Sequence, residues 1–408
     1  MGKLFRMAWR NVWRNWRRTI IALIAISLGL TFLLFFDGMM GGAEEAMYGN
    51  TVRLLGGNVQ VHAPGYLERA RRLPLLPLGD TEAVVQAALS QPEVVSASTR
   101  IKTGGMVSSR EGTYSVVIIG IEPEREASVG LLAENITQGR YLAADDGDAL
   151  IIGQELADRL EVGVDDRITL VGRATHEQMR RRTMTVIGIY DLGIPEAEKG
   201  MVYVSLPEAQ SLFDLPGQAT EVVASLEKVG QEPPVVATLQ AALPGYEVVS
   251  WDTIDPTTKQ TMEMEKQFMS LFGMVILLIA GVGILNLLLM AVFERTREIG
   301  LLAAMGMKRW EIMMLFLLEG TLIGILGTVI GVALGGLLIA YLGQVGLPWS
   351  AQEYSELTAL MGDRIYFDIG LGLLWARAVT VVIIAALASL YPSWQASRRE
   401  PAEALHYV

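Results

Sequence analysis

Few residues in this sequence are placed to do covalent chemistry. The three histidines, His62, His176 and His406, stand in widely separated segments, and there is no cysteine. That removes thiolate nucleophiles, thiolate metal ligation and disulfides from consideration. No H-E-x-x-H pair occurs, and no G-x-x-x-x-G-K-[ST] loop that would cradle nucleotide phosphates. The expectation is a chain with no catalytic residues, no metal site and no cofactor of its own. The chemistry that remains is docking. Glu294, Arg295, Arg297 and Glu298 lead into Ile299 and an apolar step, Leu301–Met305, bounded by Gly300 and Gly306 and followed by Lys308, Arg309 and Glu311. A short apolar step between charges can enter a groove on a soluble partner and be oriented by its flanks. The same composition also serves an ordinary charged loop at a membrane surface, and the residues alone leave both readings open.

The elements that must hold this segment are apolar. Mean hydropathy is +0.36, and charged residues make up 19% of the chain, against about 25% in soluble domains. Four stretches are long enough to cross about 30 Å of hydrocarbon: residues 19–36, 268–293, 313–341 and 370–391. Glu319 and Arg377 lie inside the third and fourth. Charges there are expected near helix ends or facing the bundle interior, and neither is assigned a role.

Charge gives the orientation. Residues 1–19 carry Lys3, Arg6, Arg10, Arg14, Arg17 and Arg18 and no acid, whereas residues 37–267 carry 19 basic and 34 acidic groups. Arg295, Arg297, Lys308 and Arg309 follow the second stretch, and Arg398 and Arg399 the fourth. Four crossings put all these cations on one side, which the positive-inside rule makes cytoplasmic. The expected fold class is thus a membrane protein of four transmembrane α-helices, one plus three, with a large α+β extracytoplasmic domain between the first and second. The sections are a cytoplasmic amphipathic helix (1–18), transmembrane helix 1 (19–36), the periplasmic domain with stalk helices at both ends (37–267) and transmembrane helix 2 (268–293). A charged cytoplasmic segment (294–312), helix 3 (313–341), an extracytoplasmic loop (342–369), helix 4 (370–391) and a cytoplasmic tail (392–408) follow.

Residues 4–20 put Phe5, Trp9, Val12, Trp13, Trp16 and Ile20 at helical spacing apart from Arg6, Arg10 and Arg17, as in a helix lying on the inner membrane face. In the middle section, strands are expected at 58–62, 113–121, 149–152, 167–171, 183–190, 200–204 and 221–226, and helices at 81–90, 155–160, 207–213 and 233–242. Residues 166–190 read as a hairpin with a long polar tip, 172–182.

Three pieces carry a resemblance. ERTREIGLLAAMGMKRWEI (294–312), YPSWQASRREPAEAL (391–405) and MAWRNVWRNWRRTIIALIAISLG (7–29) resemble the FtsX-like, MacB-type and lipoprotein-release (Lol)-type ABC permeases, also called type VII or mechanotransmission transporters. TVIGIYDLG followed by KGMVYVSLPEAQSLF resembles that family's outer domain, so the similarity covers nearly the whole chain. The resemblance implies a bacterial inner-membrane permease with both termini cytoplasmic. It would pair with a second permease, the same or a homologous chain, and bind a cytoplasmic ABC ATPase dimer that supplies ATP and magnesium. Glu294, Arg295, Arg297, Glu298, Ile299, Gly300, Leu301, Met305 and Gly306 would form the ATPase-coupling site. In lipoprotein-release members the substrate enters between the first and second spans. Carried over, that makes Phe32, Phe35, Phe36, Met39 and Met40, facing Met264, Phe268, Met269 and Phe272, the lining of a lipophilic path. The implied function is extraction or export of a lipophilic substrate, lipoprotein first, with membrane lipid and a periplasmic protein among the partners and no nucleic acid. The rivals are a mechanical regulator of a periplasmic cell-wall hydrolase and an exporter of a small hydrophobic compound such as a macrolide or haem. GNVQVHAPGYLE (57–68) leans towards the Lol-type branch, while the tip at 172–182 is shorter than the hook that holds a periplasmic carrier in some members.

Overall fold

The computed structural model describes residues 2–14, 16–175, 178–228, 230–348 and 364–398. His176, His406, Arg399 and most of the loop expected at 342–369 lie outside the described residues. The chain forms two compact units, one from residues 1–43, 262–348 and 364 onward, the other chiefly from residues 44–261.

The helices are α1 (Gly2–Arg14), α2 (Trp16–Leu55), α3 (Thr81–Leu89), α4 (Pro123–Glu126), α5 (Gln154–Leu160), α6 (Pro195–Gly200), α7 (Leu206–Phe213), α8 (Glu232–Ala242), α9 (Trp251–Ile254), α10 (Pro256–Glu294), α11 (Thr296–Ala304), α12 (Arg309–Val345) and α13 (Leu371–Ser397). The strands are β1 (Val59–His62), β2 (Val94–Ser108), β3 (Thr113–Ile121), β4 (Ile136–Gly139), β5 (Ala149–Gly153), β6 (Arg167–Arg173), β7 (Met179–Tyr190), β8 (Met201–Ser205), β9 (Glu221–Leu226) and β10 (Glu247–Ser250), with a two-residue pair, Leu347–Pro348 and Arg364–Ile365.

In the first unit, α2, α12 and α13 are long and apolar enough to cross a membrane, and α10 carries a shorter apolar stretch, Ser270–Gly283. Burial in lipid leaves helices little hydrophobic drive to associate, so close backbone approach has to do the packing. The sequence of α12 provides it. Gly327, Gly331 and Gly335 recur at helical spacing, and a Cβ built on them would stand 2.7 Å, 3.0 Å and 2.8 Å from Ile26, Leu30 and Leu34 of α2. Gly324 meets Ala385 of α13 in the same way, at 2.6 Å. Four hydrogen atoms where side chains would stand thus let α12 carry both neighbours. The expected surface helix over residues 4–20 is divided: α1 ends at Arg14 and α2 starts at Trp16. α1 packs on α12 through Ala8 and Val12, both buried, and leaves Phe5, Trp9, Trp13 and Trp16 exposed.

In the second unit, β2 is shared by two sheets. Its first half pairs antiparallel with β9, giving the order β10–β1–β9–β2. Val59, Val61, Val222 and Ala224 face α3 and α8 in one core, with Val84, Val85, Val235 and Leu239 opposite. Its second half pairs with β3 and β6, and the ring β2–β3–β8–β5–β7–β6 closes on itself. Closure removes the free edges. The ring holds a second core that includes Ile118, Leu150, Ile152, Leu170 and Val204 and is plugged by Leu156, Leu212 and Phe213 from α5 and α7.

The strands and helices expected in the middle section are present with ends shifted by a few residues, but β2, β4 and β10 were not expected. The polar tip is also shorter than the sequence indicated. β6 and β7 stay paired out to Arg173 and Met179, because the arginines of this stretch find partners on α7 and nearby: Arg182 bonds Glu208, and Arg180 meets Asp214 at 3.4 Å.

Candidate coupling site and the helices that hold it

α10 ends at Glu294, and Arg295, at φ −106° and ψ 17°, turns the chain into α11. α11 is nine residues long and is closed by Gly306, whose φ of +91° is the left-handed turn that a glycine adopts without strain. The structure divides the expected coupling residues by face. Arg295, Ile299 and Gly300 are buried, whereas Glu294, Arg297, Glu298, Leu301, Met305 and Gly306 are exposed. Leu301 and Met305, one helical turn apart, stand 54% and 69% exposed with Arg297, Lys308 and Arg309 around them. Such a pair of large apolar side chains is costly to leave in water unless something covers it.

Beneath this face, Ile299 packs with Val292, Ile312, Phe316 and Ala396, so α11 sits on the ends of α10, α12 and α13. Four ion pairs add to that base, one of them between Nε of Arg295 and Glu298 at 3.9 Å. Arg14 of α1 pairs with Glu298, Arg18 of α2 pairs with Glu294 at 2.7 Å, and Arg295 donates from Nη1 to both oxygens of Glu319 at 3.1 Å and 3.2 Å. Glu319 lies on the α12 stripe with Ile312, Phe316 and Ile323 and is 4% exposed. Arg377, the other charge noted inside an apolar stretch, donates from Nε and Nη2 to the two oxygens of Asp37 on α2 at 2.7 Å and 3.0 Å. Each intramembrane charge therefore has a partner from another helix.

The residues expected to line a lipophilic path are partly brought together. Phe36 of α2 and Phe272 of α10 meet with ring centroids 5.7 Å apart. Phe35 turns instead against Phe367, at 5.0 Å. Phe32, Met264 and Phe268 are exposed, and Met39 and Met40 are half-buried; the side chain of Met269 lies outside those described.

The end of α2 from residue 44 and the start of α10 up to residue 261 belong to the second unit and are tied into it. Arg53 donates to the carbonyls of Val129 and Gly130 at 3.1 Å and 3.2 Å and pairs with Glu134 at 2.8 Å. Gly56, just beyond α2, has φ +91°, and a Cβ there would fall 1.7 Å from Nη1 of Arg100. Arg100 is buried and bonded through Nε to Glu126 at 2.6 Å; burial works against its charge, but the Glu126 carboxylate raises its proton affinity above the usual value. Tyr48 of α2 lies edge-on to Trp251 at 5.5 Å, and Lys259 of α10 reaches Asp252 at 2.6 Å. None of these joints was anticipated from sequence, although the Gly56–Gly57 pair after a long helix marks a stop.

Among the described residues no group of three or more His, Asp or Glu side chains is placed to hold a metal ion.

Comparison with known proteins places this architecture. A model of the MacB-like periplasmic core domain matches residues 19–242, and a model of the FtsX-like permease C-terminal region matches residues 270–401. The chain belongs to the family with a MacB-like periplasmic core domain and carries an FtsX-like permease C-terminal region. It is similar to the lipoprotein-releasing system transmembrane protein LolC of Xylella fastidiosa, 26% identical, with 95% of this chain and 94% of that one covered. It is also similar to the macrolide export ATP-binding/permease protein MacB of Hahella chejuensis, 24% identical, covering 99% of this chain and 60% of that one. Among solved structures, the periplasmic region of MacB from Actinobacillus actinomycetemcomitans aligns at a TM-score of 0.36 and 15% identity, covering 52% of this chain and 95% of that one. This FtsX-like chain is thus an ABC transporter permease of the inner membrane with a periplasmic α+β domain.

Proposed function

We propose that this chain is the permease subunit of an ABC transporter that couples ATP hydrolysis by a separate ATPase to movement of its periplasmic domain, and so extracts or exports a lipophilic substrate, lipoprotein first. The observation that carries the reading is the exposed Leu301–Met305 face on a base buried among three helix ends. A soluble ATPase gains apolar area and charge complementarity by seating on it. α10 serves as a fourth crossing, its 39 residues at 1.5 Å each exceeding the hydrocarbon thickness. With one plus three spans, both termini and the coupling segment are cytoplasmic and residues 37–267 extracytoplasmic. α2 and α10, gripped at their outer ends, relay the motion because a helix is stiff along its axis. A second permease completes the assembly, and Phe36 and Phe272 mark where α2 and α10 part for the substrate.

The test is co-purification from native membranes. The wild-type chain should retain an ATPase subunit and a bound lipoprotein. A Leu301→Glu, Met305→Glu double variant should reach the membrane at the same level but lose the ATPase. Retention of the ATPase by that variant overturns the docking assignment. A periplasmic hydrolase recovered in place of lipoprotein moves the function to mechanical regulation, and a macrolide or haem moves it to small-molecule export.

A further inference from the structure

We propose that the buried Arg295–Glu319 pair gears the coupling segment to α12, making both residues positioning residues of energy coupling. The inference rests on the reading of residues 294–307 as the coupling segment. Among the described residues four ion pairs hold that segment, and they are not equivalent. The side chains of Arg14 and Glu298 are 55% and 54% exposed, Arg18 is 20% and its partner Glu294 50% exposed, and Nε of Arg295 stands 3.9 Å from the exposed Glu298, so each of these three has a partner in water. Water and salt screen such pairs until little net attraction remains. The side chains of Arg295 and Glu319 are 6% and 5% exposed. In that low-dielectric site the attraction is little screened, and loss of Glu319 removes the buried carboxylate that faces Arg295.

The pair also fixes direction. Glu319 lies ten residues into α12, about 15 Å along its axis from the first residue. Arg295 stands at the turn where the chain leaves α10 and enters α11, so its guanidinium carries a hold from that turn deep onto α12. The apolar contact of Ile299 with Ile312 and Phe316 is non-directional and tolerates sliding. An axial shift of a turn or a rotation would break both hydrogen bonds between Nη1 of Arg295 and the Glu319 carboxylate. An apolar pair would fill the same volume at equal or lower energetic cost; what it would not supply is register. Thrust delivered to Leu301 and Met305 therefore passes through Arg295 to α12, and from α12 through the Gly327–Gly331–Gly335 groove to α2.

The test uses Glu319→Gln, which keeps shape and removes charge, and the Arg295→Glu, Glu319→Arg exchange. Hydrogen exchange on the full chain in nanodiscs, without ATPase, should be about tenfold faster at residues 296–304 in Glu319→Gln, with α12 itself unchanged, and should return towards wild type in the exchanged pair. With the ATPase bound, vanadate trapping should alter exchange at residues 44–55 of the wild type; in Glu319→Gln that response should fall about tenfold while ATP hydrolysis persists. Unchanged exchange at 296–304 overturns the joint. Faster exchange with an intact nucleotide response overturns the gearing and leaves a structural pair. A wild-type chain with no nucleotide response sinks the proposed function instead, and the ATPase-free measurement still decides the joint.

Discussion

Gly56 follows the end of α2 within the second unit, and its hydrogen atom is what lets Arg100 lie across it. An alanine there would carry its Cβ into the guanidinium and sit at φ +91°, a backbone region that costs a non-glycine residue about 1–3 kcal/mol. Gly56→Ala should therefore destabilise the second unit by at least about 2 kcal/mol, read as a lower thermal midpoint of the full chain. An unchanged midpoint would show that the cradle yields. A second residue-scale prediction concerns His62. It is fully buried, stacked on Tyr66 at 3.7 Å, and its Nε2 bonds Gln60 at 3.1 Å. Glu221 of β9 stands 4.0 Å from Nδ1, and Glu247 of β10 and Lys102 of β2 also face it. Burial lowers its proton affinity, more than the two carboxylates restore. The folded chain thus binds fewer protons at this site than the unfolded chain, so stability is complete above about pH 6.5 and is lost as pH falls below it. Protection from hydrogen exchange along β1 and β9 should drop between about pH 7.5 and about pH 5.5, and His62→Gln should reduce that drop. An equal drop in the variant would place the proton elsewhere.

At the scale of elements, the glycines of α12 decide how the first unit packs. Gly331→Leu would have to displace Leu30 and the Ser27 carbonyl, both within 3.1 Å of a built Cβ. Overpacking of that kind costs about 1–3 kcal/mol, and detergent-solubilised protein should unfold at correspondingly lower temperature. Gly336, one position past Gly335, has nothing within 4 Å of a built Cβ; Gly336→Ala should be neutral or slightly stabilising, since alanine favours helix by about 1 kcal/mol over glycine. If both variants behave alike, the groove is not the seat of α2. The same scale shows where sequence reading fell short. β3 and β9, with runs of Val and Ile, were legible to the residue. β2 was not, because VVSASTRIKTGGMVS mixes Ser, Thr and Gly with an arginine that points into a buried polar layer. Its strand character comes from pairing not only with its hairpin neighbour β3 but with β9 and β6, which lie far from it in sequence.

For the whole molecule, the uneven charge is the strongest statement about orientation. Six cations without an acid precede α2's apolar run, and the acid-rich section follows it. Reporters inserted at Glu111, in the β2–β3 turn, and near Met305 should read opposite compartments, extracytoplasmic and cytoplasmic. The same compartment for both would remove any route by which an intracellular ATPase could drive the outer domain. Disrupting the exposed pair alone, with Arg14→Ala, should change stability by no more than about 1 kcal/mol. Glu319→Ala, which removes the buried carboxylate facing Arg295, should cost about 3–5 kcal/mol.

By itself the sequence determined that this chain meets lipid, which segments do so, which end of each bears the cations, and that a charged apolar step joins the second and third apolar stretches. These properties are local: each follows from the composition of a window of about twenty residues or from a spacing along one helix. Only the tertiary structure decided which of residues 294–306 face outward, that Glu319 meets Arg295 and Arg377 meets Asp37, and that Arg100 lies over Gly56. Partners 24, 340 and 44 positions apart leave no periodic trace, since a lone charge in an apolar run reads the same whatever meets it. The pairing is set by how helices and sheets cross in space, and a single sequence does not encode that crossing in any one stretch.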